Sequence, residues 1–182
     1  MTARRVAFIS NREERAESVV SRRQRLAELR RLGVSESVVQ LAAGKNRRAA
    51  FRFHCGIPWK SYRGAGAPAG ELVIPMWECG DSVTALRTNR GKVEFVTFSV
   101  ESPKKVWDVV RSEQALLAHL FIELYEDADE DEERRLAADA RSVGFRYFRE
   151  LVSAYSKSKH TTSNQHTAFV RRFVGSIEDR EV

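Results

Sequence analysis

The chain has 182 residues, 42% of them apolar, and 31 Lys and Arg against 25 Asp and Glu give a formal charge of +6. That length suits one domain with a real core and excludes two large ones, and the apolar share is that of a globular rather than a disordered chain. No run approaches the ~18 consecutive apolar residues of a membrane span; the first ten residues pass straight into charge, and two cysteines, Cys55 and Cys79, make no disulfide framework, so the chain reads as cytoplasmic, reduced and without a membrane partner.

Residues 12–32 predict a polar helix, with Val19, Leu26, Leu29 and Leu32 as a narrow apolar stripe and Gly33 at its C-terminal stop. Ser35 then caps a second short helix through Val38, Val39, Leu41 and Ala42, so the helical N-terminal region covers about 12–43. From Ala49 the apolar period changes to two, through Phe51, Phe53 and Cys55, which predicts a strand over 48–55. A Gly-rich connection over 64–70 leads to further strands near 71–77, 82–88 and 92–99, the last two joined by a turn at Asn89-Arg90-Gly91. Ser102 and Pro103 read as the start of a helix whose face continues through Val106, Val109, Val110, Leu117, Leu120, Phe121 and Leu124.

Seven carboxylates fill the eight residues Glu126–Glu133, a block that must stay wet and suits a helix N-terminus. Leu136, Ala140, Val143, Phe148, Leu151, Val152 and Tyr155 continue the helical spacing. Residues 156–167 are polar and read as a linker, after which Phe169, Val170, Phe173, Val174 and Ile177 form a short amphipathic tail over 168–182. The expected architecture is one α+β domain over 1–155, a mostly antiparallel sheet flanked by N-terminal and C-terminal helices, followed by the linker and tail.

The basic excess is confined to the N-terminal end: residues 1–56 hold 13 Lys and Arg against 5 Asp and Glu. Arg22, Arg23, Arg30, Arg31, Arg47 and Arg48 are the candidates for phosphate contacts, although such clusters equally make the solvated face of a helix. Histidines and cysteines yield no catalytic or metal set. On a strand His54 and Cys55 would face opposite ways, and Cys55 would sit with Phe51 and Phe53 as an inert thiol. His119 lies between core leucines, and His160 and His166 belong to the linker. Glu78, Asp81, Glu94 and Glu101 offer carboxylates near the hairpin, but spacing alone pairs none of them. Neither a metal nor a cofactor is therefore expected. Trp59, Tyr62 and Trp77, with Glu78 and Asp81 beside them, form the candidate protein-binding set, because Trp and Tyr are favoured interface anchors, although they equally fill cores where their N–H or O–H finds a partner.

The run Ile74-Pro75-Met76-Trp77-Glu78-Cys79-Gly80-Asp81-Ser82-Val83, the hairpin after it, and Ala115-Leu116-Leu117-Ala118-His119-Leu120-Phe121 resemble the SUKH superfamily. Leu29-Arg30-Arg31-Leu32-Gly33-Val34-Ser35-Glu36 is similar to that family's opening segment, with Ser35 where the family has Pro. The superfamily includes bacterial immunity proteins that neutralise polymorphic toxins and fungal regulators of cell-wall synthesis. The resemblance spans about 26–155 and implies an α+β domain that acts by binding rather than catalysis. The expected function is accordingly a non-catalytic protein-binding domain, immunity- or antitoxin-like, with a toxin as the partner. Nucleic-acid binding through the Arg-rich segment is the alternative.

Overall fold

A computed structural model describes residues 22–46, 48–58, 67–158 and 162–182. These fold as an α+β structure in which helices α1 (Arg22–Arg31), α2 (Glu36–Ala42) and α3 (Ala49–His54) precede strands β1 (Leu72–Cys79), β2 (Ser82–Asn89), β3 (Lys92–Ser99) and β4 (Val106–Val110). Helices α4 (Glu113–Asp127), α5 (Glu130–Val143), α6 (Phe148–Lys157) and α7 (Ser163–Glu181) follow. The sheet is antiparallel throughout, in the order β1-β2-β3-β4. The part of the first predicted helix before residue 22 lies outside the described residues.

The β2–β3 hairpin forms where the Asn-Arg-Gly turn places it. Asn89 pairs with Lys92 across a two-residue loop, and Arg90 and Gly91 both take positive φ, 52° and 73°, the twist that matches two antiparallel strands. Residues 48–55 do not form the expected strand. Arg48 is extended and a helical turn begins at Ala49, so Phe51 and His54 share the buried side while Phe53 is 69% exposed. Two Phe residues spaced by two fit either period, and the paired alanines at the start favour the helix. Phe51 then meets Phe121 of α4 edge-on, centroids 6.0 Å apart.

The helix expected from Ser102 is also corrected. Residues 102–105 make a turn closed by the Lys105 N–H donating to the Ser102 carbonyl at 2.9 Å, and Val106–Val110 is the fourth strand. A run with three valines and a tryptophan fits the pleated surface of a sheet. The true cap is Ser112, whose hydroxyl accepts from the Ala115 N–H at 3.1 Å. The acidic block does open a helix: the Asp129 carboxylate accepts from the Asp131 and Glu132 N–H groups in a capping box.

Helix α4 is apolar almost all round, with Leu116, Leu117, Leu120, Phe121, Ile122 and Leu124 buried, as befits a helix enclosed by other elements. One cluster joins it to Leu29, Val38, Leu41 and Phe51 on one side, to Ile74, Leu86 and Phe95 of the sheet, and to Leu136 and Leu151. The C-terminal tail belongs to this core. Phe169, Phe173, Val174 and Ile177 are buried in the same cluster, and the expected linker shrinks because α6 runs to Lys157 and α7 starts at Ser163, capped by Thr162. Val83, Ala85, Val96 and Phe98 form a second cluster on the opposite sheet face. No helix among the described residues is long and apolar enough to cross a membrane.

The two edges of the sheet are treated differently. Gly56 pairs with Glu78 of β1 through two backbone hydrogen bonds of 3.0 and 2.9 Å, an approach so close that a Cβ at Gly56 would stand 2.8 Å from the Glu78 carbonyl oxygen. Buried Arg25 adds to this cover, donating to the Pro75 carbonyl at 3.1 Å and to the Ala42 carbonyl at 2.8 Å. On the opposite edge no strand pairs with β4 among the described residues.

Candidate functional site

The sheet face under α4 changes character along its length. Ile74, Leu86, Phe95 and Val110 form an apolar rung, whereas Trp77, Thr84, Thr97 and Asp108 align as a mixed one across all four strands. Leu116, His119, Leu120 and Glu123 of α4 close over that second rung, leaving a small cavity of about 50 Å³. Half-buried His119 is held below its ordinary value by loss of hydration, against the pull of Asp108, Glu123 and Glu178.

One rung further on, α3, β1 and α4 bring together a second polar group. The end of α3 delivers His54, 8% exposed, between the sheet and the last two turns of α4. Its Nε2 lies 3.3 Å from an Asp127 carboxylate oxygen, and its Nδ1 lies 3.7 Å from Glu123 and 3.8 Å from Cys79 Sγ. Asp127 and Glu123 are more than half exposed, so this cluster opens to water on the α4 side. Burial pushes the partly exposed Cys79 thiol above its ordinary value, with Glu123, Asp127 and Asp81 adding to the shift. Buried Cys55 is pushed up further, chiefly by desolvation. Among the described residues no group of three or more His, Cys, Asp or Glu side chains is arranged to hold a metal ion.

Beyond His54 a groove of about 630 Å³ runs between α3 and α5, with Phe53, Leu124 and Leu136 on its walls and Asp127, Glu132, Arg134 and Arg135 at its margins. On β4, Trp107 and Val109 are each 43% exposed, flanked by exposed Lys104, Lys105 and Arg111.

The residues singled out from sequence fall in scattered places. Trp59, Tyr62 and Arg47 lie outside the described residues. Trp77 is 4% exposed and walls the cavity under α4, which leaves no ring surface for a partner. Glu78 is half-buried with its backbone paired to Gly56, and Asp81 is exposed in the β1–β2 turn. Arg22 and Arg23 begin α1. Arg30 makes two bonds to Glu36, 2.8 and 2.9 Å, and together with Gln40 holds that carboxyl down at about 2. Arg31 meets Glu28 at 2.7 Å, and Arg48 meets the buried Asp139 at 2.5 Å. Three of the six candidate arginines thus already face their own carboxylates. His166 begins α7 and meets Glu126 at 2.5 Å, instead of lying in a linker.

The His54 cluster is not legible in the sequence because its partners Cys79, Glu123 and Asp127 come from β1 and α4, far along the chain. Trp107 and Val109 escaped because they were placed on a helix, although the β-branched run from Val106 to Val110 carried the strand signal. No family model, curated protein or solved structure matches the chain.

Proposed function

We propose that this protein is a protein-binding domain that seats an extended, acidic segment of its partner along β4. The observation that carries the proposal is the exposure of Trp107 and Val109, 43% each, on the sheet edge that no described strand covers. An open edge offers its backbone N–H and C=O groups to an incoming strand, and alternate side chains on that edge set the specificity. Trp is also the residue type most enriched among interface anchors.

Charge selects the partner. Lys104 and Lys105 precede β4 and Arg111 follows it, all three exposed; the Arg111 backbone N–H donates to Glu178 at 2.7 Å, and no ion pair of the three side chains is found among the described residues. A second copy of the chain is a poor occupant: antiparallel self-pairing centred on Asp108 would set Asp108 against Asp108 and Lys105 against Arg111, like charges directly opposite. A foreign strand with carboxylates at its ends meets no such repulsion. The SUKH-like stretches support an immunity-like role, in which occupying a segment of a toxin would neutralise it. Reduced Cys55 and Cys79 fit a reducing, cytoplasmic setting. The nucleic-acid alternative is weakened by the pairing of Arg30, Arg31 and Arg48.

The test is selection of a random peptide library displayed on phage against the full chain, with the Val109→Pro variant as counter-selection. Proline removes a backbone donor from β4 without adding charge. Peptides with alternating apolar residues and acidic ends, bound by the wild type and lost on Val109→Pro, are expected. Peptides that bind both proteins equally, or a selection that enriches basic sequences, would overturn the proposal.

A further inference from the structure

We propose that Cys79, His54 and Asp127 form a nucleophile, base and orienting carboxylate that accept an acyl group onto Cys79 Sγ from uncharged or cationic acyl donors. The three side chains come from different elements and stand in the required order: Sγ 3.8 Å from His54 Nδ1, and His54 Nε2 3.3 Å from Asp127. A nucleophile within reach of an imidazole whose far nitrogen is fixed by a carboxylate is the general signature of nucleophilic catalysis, and such contacts are often long in a free protein. The step uses the neutral tautomer with its proton on Nε2, the nitrogen facing Asp127, so that the Nδ1 lone pair faces the thiol.

The surroundings fit an acceptor rather than a packed thiol. Cys79 is partly exposed, whereas Cys55 is buried, and the adjoining Gly80 lies in the exposed β1–β2 turn. Glu123, Asp127 and Asp81 make the site negative, which repels anionic donors and keeps the resting sulfur a neutral thiol. His54 therefore acts during the attack instead of holding a preformed thiolate. As the Sγ–C bond forms, the thiol proton passes to His54 Nδ1. The carbon–oxygen bond to the leaving group breaks with its electron pair on oxygen, and the proton on His54 goes to that oxygen or to water. Water later cleaves the thioester, returning the thiol and releasing the acid.

The test uses p-nitrophenyl acetate on the full chain, following nitrophenolate release and locating the acetyl group by mass spectrometry. Acetylation of Cys79, lost in Cys79→Ser and slowed roughly a hundredfold in His54→Gln, is the expected result. Asp127 is 66% exposed, so Asp127→Asn should fold even if the His54 variant does not. Asp127 acts through His54 as a positioning residue: Asp127→Asn should slow acetylation, and Asp127→Glu should restore part of the rate. An unmodified Cys79, acetylation confined to Cys55, or equal rates in wild type and Asp127→Asn would each overturn the proposal.

Discussion

His119 illustrates how a single side chain carries a pH signature. Loss of hydration holds it below the ordinary value of 6.5, so the folded state keeps a neutral ring where the unfolded chain would already bind a proton. Stability linked to His119 is therefore complete above that value and is lost as pH falls below it. The denaturant midpoint should decline between about pH 7 and pH 5 in the wild type and decline less in His119→Gln. Equal slopes in the two proteins would contradict the assigned burial. The sequence placed this ring among core leucines, with Glu123 one turn on along the same helix, but it could not show Asp108 and Glu178 around it, because those carboxylates arrive from β4 and α7.

At the scale of elements, the hairpin shows local rules at work and α7 shows tertiary packing. Arg90 occupies a left-handed position, φ 52°, that asparagine tolerates better, so Arg90→Asn should raise stability by a few tenths to about 1 kcal/mol, measured by chemical unfolding. Phe173 is buried and stacks on Phe169 at 5.9 Å, and Phe169 meets Tyr155 of α6 edge-on at 5.5 Å. Phe173→Ala should lower stability by about 3 kcal/mol. An unchanged melting curve would mean that the tail does not dock on its own chain. Turn residues and long apolar stripes made the hairpin, α4 and the tail legible before any coordinates. Residues 48–55 and 102–110 were not, because short apolar runs satisfy periods of two and of 3.6 alike until Phe121 and β3 choose between them.

For the whole molecule, the sheet edges organise the account. Gly56 and Arg25 close the β1 edge, while among the described residues no strand pairs with β4, which carries exposed Trp107 and has Lys104, Lys105 and Arg111 at its ends. The proposed docking edge was illegible in sequence for the same reason that β4 was: which strand lies at an edge is a property of topology, and only strand order exposes Trp107 while burying Trp77. Within the basic N-terminal excess, folding sets Arg30, Arg31 and Arg48 against Glu36, Glu28 and Asp139. Amide hydrogen exchange of the full chain with and without an acidic peptide taken from the display selection tests the central claim most directly. Slowed exchange concentrated in residues 106–110 is the expected result, whereas protection confined to the groove between α3 and α5, or none on β4, would contradict it.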